Sequence, residues 1–146
     1  MGAHEAINDI LVNLFHEIWE LEEKAIMTEE FKDISNNDMH IIEAIGLGDG
    51  NNMSTIARKL HITVGSLTTS MNSLVNKKYA VRERSEEDRR VVYIKLTPKG
   101  ERAFCHHQDF HEKMTAAVVA ELPEEETEVL VQALNRLGKF FRKYQK

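Results

Sequence analysis

Between Ala6 and Ala25 the apolar residues Ile7, Ile10, Leu11, Leu14, Ile18 and Leu21 recur at steps of three and four. That spacing predicts one long amphipathic helix. Thr28 to Ile34 breaks it. Ser35 can cap a second helix through Met39, Ile42 and Ile45, which stops in the run Gly46-Leu-Gly-Asp-Gly50. Asn52 can cap a short third helix with Ile56, Ala57 and Leu60 on one face, and Thr63 a fourth to about Lys78. From residue 81 the period changes to two: Val92, Ile94 and Leu96 alternate with Val91, Tyr93 and Lys95. Two strands joined by the polar stretch 86–90 are predicted, a β-hairpin. Thr97-Pro98 restarts a helix that runs to about Glu121, and Pro123 with three glutamates opens the last.

The predicted order is four helices, a hairpin and two helices. Such an order describes a mainly α chain with a small β-wing: a winged helix-turn-helix of six helices and a two- or three-stranded hairpin. Residues 1–146 read as a single subunit. Residues 35–102 form the winged region, and 1–34 with 103–146 supply helices for dimerisation. The last helix carries Leu130, Leu134, Leu137, Phe140, Phe141 and Tyr144 on one stripe, and the first carries its own. A small winged core cannot cover both, so a second copy is the expected cover, with an antiparallel pair on the same chain as the competing reading.

Composition sharpens this picture in one respect. The 146 residues carry a net charge of −5, which speaks against a polyanionic partner until it is divided. Residues 1–52 carry −10, residues 53–102 carry +6 and residues 103–146 carry −1. Salt screens the acidic flanks within about 10 Å, so the basic middle can attract a polyanion locally. No run approaches a membrane span, the first residues do not read as a secretory signal, and one cysteine cannot form an internal disulfide. A cytoplasmic protein with no membrane partner is expected.

The basic middle also holds the sharpest chemical pattern. At about 100° per residue, Val64, Leu67, Met71, Leu74 and Val75 share one side of the fourth helix. The opposite side is Gly65, Ser66, Thr69, Asn72, Ser73 and Asn76, with Thr68 on its flank. An ordinary solvated face would favour Lys, Glu and Arg. Small hydroxyl and amide groups instead permit close approach to a major groove, where Asn can pair with adenine edges and Ser or Thr can bond bases or phosphates. Arg89 and Arg90 at the hairpin tip can reach a minor groove or flanking phosphates, and Asp88 can orient a guanidinium. A weak polar helix held by its core face, followed by a commonplace charged turn, is the plainer alternative.

STIARKLHIT, SLTTSMNSLVNKKYAVRERS and above all DRRVVYIKLTPKG resemble the MarR family of bacterial transcriptional regulators. The resemblance implies a homodimer on a pseudo-palindromic double-stranded DNA operator, its recognition helices about 34–36 Å apart. By position it assigns Ser66, Thr68, Thr69 and Asn72 to the recognition helix and Asp88, Arg89 and Arg90 to the wing. Where the family often has glycine before the wing strand, this chain has Lys78-Tyr79, so the helix exit is expected to differ there. NNDMHIIEAIG and FHEKM resemble the branch that represses fatty-acid-synthesis genes. That likeness implies a long acyl chain, delivered on acyl carrier protein, as corepressor. Phe15, Trp19, Ile42, Phe110 and Met114 are candidate walls for it, each of which also reads as plain core or interface.

His107 and His111 lie four apart, so both can face one metal, with His40 and Glu43 to complete a zinc site. Some relatives in the family sense zinc with residues in comparable places. The competing reading is hydrogen-bonded histidines at an interface, since both share a stripe with Phe104, Met114 and Val118. Cys105 has only His106 beside it to activate a thiolate, a poor peroxide sensor. Phosphate loops, nucleophile elbows and paired metal motifs are absent, so an enzyme is not expected and no cofactor is required. A winged helix that binds protein rather than DNA is the rival from another class.

Overall fold

In the computed structural model, residues 2–144 are described. The helices are α1 (Ala3–Asp9), α2 (Phe15–Ile26), α3 (Asn36–Ile45), α4 (Met53–Leu60), α5 (Val64–Asn76), α6 (Pro98–Glu121) and α7 (Glu124–Tyr144). The strands are β1 (Asn51–Asn52), β2 (Ala80–Arg84) and β3 (Val92–Leu96), and a π-helical segment, Ile10–Leu14, lies between α1 and α2. Backbone dihedrals stay right-handed helical at Asp9, Ile10, Leu14 and Phe15. The expected long first helix is therefore one rod with a widened turn inside it. Counted that way, the six expected helices are present. The chain divides into two compact units, Met1–Phe110 and His111–Lys146, with the boundary inside α6.

The caps predicted from the sequence form. Ser35 Oγ accepts from Asp38 N at 3.1 Å while the Asp38 carboxylate accepts from Ser35 N at 3.1 Å, a capping box at the start of α3. Asn52 Oδ1 accepts from Thr55 N at 2.8 Å, and Thr63 Oγ1 accepts from Ser66 N at 3.0 Å. The core lies within the first unit. Met39, Ile42 and Ile45 of α3 meet Ile56 of α4, Leu67, Met71 and Leu74 of α5, and Ile94 and Leu96 of β3, all buried.

The wing is an antiparallel sheet in the order β1-β3-β2, with Arg82 opposite Ile94 and Asn52 opposite Tyr93. The short β1 was not read from the sequence as a separate strand. Gly50 makes it possible. Its φ is +78°, and a Cβ there would lie 1.9 Å from the Ile94 carbonyl oxygen.

The exit of α5 keeps the backbone shape of a glycine-containing turn without the glycine, against the expectation that it would differ. Lys78 itself adopts a left-handed conformation, with φ 73°. Its side chain is exposed, so the strain is purely backbone. Lys78→Gly should raise stability by about 0.5–1 kcal/mol, the relief of strain outweighing the added freedom of the unfolded chain. Urea unfolding would show it, and a loss of stability would refute the strain.

Tyr79, fully buried, locks the wing base to the connector after α2. Its hydroxyl donates to Asp33 Oδ1 at 2.6 Å, Lys77 Nζ donates to the Asp33 carbonyl at 2.5 Å, and Lys99 lies 4.4 Å above the Tyr79 ring. Partial burial pushes the Asp33 carboxyl upward, but the Tyr79 hydroxyl and the Lys99 and Lys77 ammoniums outweigh it and hold the pKa below the usual carboxylate value. A depressed folded pKa gives stability that is present above the unfolded value, about 4, and lost as pH falls through the folded one. The stability difference between the native chain and Tyr79→Phe should accordingly be present at pH 7 and shrink below pH 4. A difference independent of pH would place its origin in packing alone.

Candidate nucleic-acid interface

Thr63 starts α5 within three residues of Leu60, where α4 ends through His61 in a left-handed conformation (φ 57°). The two helices are thus joined by a tight turn. Leu67, Met71 and Leu74 anchor α5 from beneath, and Ser66, Thr68, Thr69 and Asn72 are all exposed on the other side. Val64, expected on the core side with them, is 43% exposed. It is the first residue of α5, one turn before Leu67, where the anchoring row runs out.

The exposed hydroxyls are not equally available. Thr68 Oγ1 donates to the Val64 carbonyl at 2.8 Å, so it caps its own helix turn. Ser66 Oγ accepts from Thr63 Oγ1 at 2.9 Å and keeps its own proton for a partner. Asn72 Oδ1 accepts from Arg82 Nη2, on strand β2, at 2.5 Å.

The wing tip is ordered by Asp88. Its carboxylate receives Arg90 Nε and Nη2 at 3.1 Å each, a fork-to-fork pair, and the Arg90 backbone N–H at 3.1 Å. Those Arg90 hydrogen bonds hold the Asp88 carboxyl below the usual range. Arg84 donates to the Arg89 carbonyl, which ties the strand to the tip. Ser85 N donates to the Val91 carbonyl at 2.8 Å and Val91 N to the Asp88 carbonyl at 2.9 Å, closing the loop. The Arg90 side chain is 90% exposed, so its charge is displayed while its direction is fixed.

Arg82 and Arg84 were not singled out from the sequence. A signal existed: they stand two apart in a strand, and so point to the same face.

The histidine cluster forms in part, around a residue the sequence reading passed over. Glu22 is buried, with Oε1 3.1 Å from His40 Nε2 and 3.4 Å from His107 Nε2. Glu43 Oε2 lies 3.5 Å from His107 Nε2 and 3.9 Å from His40 Nδ1. His111 follows His107 by one helical turn on α6. The signal for Glu22 was its register, four residues after Ile18 and four before Ile26 on the apolar face.

The candidate effector walls differ in setting. Ile42 is sealed in the core, Phe110 and Met114 are half-buried, and Phe15 and Trp19 are largely exposed, with Trp19 stacked on His40 at 6.0 Å between centroids. Cys105 is free and exposed.

A tight two-helix unit, a polar outer face on its second helix and an arginine-tipped wing beside it define a winged helix-turn-helix regulator of transcription, not an enzyme. Residues 24–106 match the family model described as Transcriptional regulator SarA/Rot. The chain is similar to Streptococcus pneumoniae FabT, solved in complex with DNA. The TM-score is 0.90 at 36% identity, covering 97% of this chain and 99% of that one. It is 32% identical to the regulator BilQ of Clostridium symbiosum (strain WAL-14163), over 73% of this chain and 74% of that protein. It is 27% identical to the regulator PchR of Bacillus subtilis (strain 168), over 91% and 86%. The chain belongs to the MarR family of winged-helix transcriptional regulators.

Proposed function

We propose that this protein is a sequence-specific repressor that binds a pseudo-palindromic operator as a homodimer. One observation carries the reading: the small polar face Ser66, Thr68, Thr69 and Asn72 and the oriented Arg90 belong to one basic, exposed region, built on a buried anchor. The helix enters a major groove and the wing reaches the adjacent minor groove or phosphates. The dimer is supported by apolar residues left exposed at both ends of the chain. Ile7, Ile10, Leu14, Phe15 and Leu21 are exposed on the first rod, and Leu130, Leu134, Leu137, Phe140 and Phe141 on α7. Such extended stripes are characteristic of surfaces that a second chain covers.

Likeness to FabT supports a role at fatty-acid-synthesis promoters, with a long acyl chain on acyl carrier protein strengthening DNA binding. Phe15, Trp19 and Phe110 would border the chain, with Ile42 behind them. Such a regulator works in the cytoplasm, and among the described residues no helix is long and apolar enough to cross a membrane. Mapping the genomic sites that the protein occupies tests the promoter assignment. Sites clustered upstream of lipid-synthesis genes are expected, and their absence there refutes it. In a gel shift, long-chain acyl carrier protein should tighten the complex; no change would remove the corepressor. Failure to bind any duplex at low salt would favour a protein-interaction module instead.

A second reading, zinc control, is favoured by the Glu22 cluster. Two imidazoles and two carboxylates are a zinc-type donor set, and ligand atoms of a tetrahedral site lie about 3.3 Å apart, close to the Glu22–His40, Glu22–His107 and Glu43–His107 separations. Glu22, His40, Glu43 and His107 would hold the ion. Zinc added to metal-stripped protein should then change operator affinity, and Glu22→Gln should abolish the change. No zinc binding at micromolar concentration would leave the cluster as a hydrogen-bonded strut.

A further inference from the structure

We infer that Val64 and Thr68 form an apolar seat on α5 for the 5-methyl group of one thymine in each half-site. The inference rests on the DNA-binding reading above and deepens it. Val64 is 43% exposed at the first position of the helix, although its spacing groups it with the buried Leu67 and Met71. Thr68 is exposed one turn later, and its hydroxyl donates to the Val64 carbonyl at 2.8 Å. That bond turns the polar arm of Thr68 onto the helix backbone. What Thr68 has left to offer a partner is chiefly its methyl group.

Residues four apart on a helix stand one above the other. The Val64 isopropyl group and the Thr68 methyl are therefore neighbours, an apolar spot at the edge of a face otherwise made of hydroxyls and amides. Gly65 beside them puts no side chain in the way, and even a Cβ there would meet only Thr63 Oγ1 at 3.9 Å. Ile62, the other half-exposed apolar residue nearby, has a different explanation. His61 N donates to the Arg58 carbonyl at 3.2 Å and Ile62 N to the Ala57 carbonyl at 3.1 Å, the two bonds of a Schellman turn. An apolar residue in that place packs back on the helix it ends. Val64 has no such duty, and a β-branched residue is a poor opener for a helix.

The groove decides what such a spot can meet. Along the major groove the one substantial apolar group is the thymine C5-methyl, the rest being hydrogen-bond donors and acceptors. The N-terminal residues of a recognition helix are those that approach base edges, and Val64 and Thr68 lie within the first five of α5. Seating the methyl there removes apolar surface from water on both sides and asks no polar group to give up a partner.

The test begins with duplexes selected from a pool randomised over two helical turns. In the tightest of them each thymine is replaced in turn, symmetrically in both half-sites, by deoxyuridine, which removes the methyl and nothing else. At one position the native protein should lose about fourfold in affinity per half-site, the worth of one buried methyl, and so about 15-fold for the pair. Thr68→Ser keeps the hydroxyl and its bond to the Val64 carbonyl, and Val64→Ala keeps the helix. Each should cut the discrimination to about fourfold, and the double variant should abolish it. Thr68→Val keeps the methyl without the hydroxyl and should retain the discrimination; its loss there would overturn the methyl assignment. Every variant is checked for an unchanged thermal melt. Equal affinity of the native protein for all the deoxyuridine duplexes would overturn the inference while leaving DNA binding intact. So would discrimination that survives in the double variant, which would place the methyl against other residues. If no duplex is selected at all, the DNA-binding reading falls and takes the inference with it.

Discussion

Arg90→Ala is expected to weaken operator binding about 10- to 100-fold at low salt and to flatten its salt dependence. The Arg90 side chain is displayed at the wing tip and touches no core residue, so its removal costs the fold little. What it removes, on the proposed function, is a cation available to the DNA backbone. Each phosphate neutralised releases counterions, with a slope of about 0.9 per contact in log affinity against log salt. In a two-fold dimer the residue occurs twice, so the slope should fall by about 2. Binding should weaken on all sequences alike, because phosphate contacts fix register without reading bases. Arg90→Lys separates charge from direction: it keeps the cation, loses the fork that Asp88 orients, and should fall between the two. A fluorescence-anisotropy titration at three salt concentrations decides it. An unchanged slope in Arg90→Ala would mean that the wing does not reach the backbone.

The contrast between Arg90 and Arg82 shows what a linear sequence discloses. Arg90 was visible because its partner Asp88 is two residues away and the hairpin around it has a period of two. The caps Ser35, Asn52 and Thr63 were visible for the same reason, since each bonds a group three residues on. The exposed polar face of α5 was legible from a helical wheel, and only Val64 was misplaced, at the helix's first residue, where a wheel cannot tell that its neighbours have ended. Arg82 and Asn72 lie ten apart on different elements, and no periodicity joins them. Glu22 meets His107 across three helices, and nothing local marks a carboxylate on an apolar stripe as buried rather than tolerated. The π segment escaped for another reason: it preserves the apolar spacing while changing only the hydrogen-bond ladder.

Gly100→Ala should lower stability by about 2–4 kcal/mol, and the cause lies in how Leu96-Thr-Pro-Lys-Gly100 is tied to the exit of α5. Thr97 N donates to the Tyr79 carbonyl at 3.0 Å, Thr97 Oγ1 donates to the Lys78 carbonyl at 2.5 Å and accepts from Gly100 N at 3.1 Å. Pro98 begins α6, where its missing N–H costs nothing. The helix thereby starts hard against the strained exit of α5. A Cβ on Gly100 would lie 2.1 Å from the Tyr79 carbonyl oxygen and 3.1 Å from Leu96 Cδ2. The carbonyl is backbone beside a fully buried ring whose hydroxyl is fixed by Asp33, so it cannot yield. The first turn of α6 must move instead, combining an overpacking cost of about 1–3 kcal/mol with weakened Thr97 bonds worth about 1 kcal/mol. Gly65→Ala is the matching control. There a Cβ meets only Thr63 Oγ1 at 3.9 Å, so added helix propensity should leave stability unchanged or up to about 1 kcal/mol higher. Urea unfolding at one fixed protein concentration compares them without interference from dimerisation. Opposite signs would trace the Gly100 requirement to the Tyr79 carbonyl, whereas equal losses would show that the start of α6 is more plastic than its contacts imply.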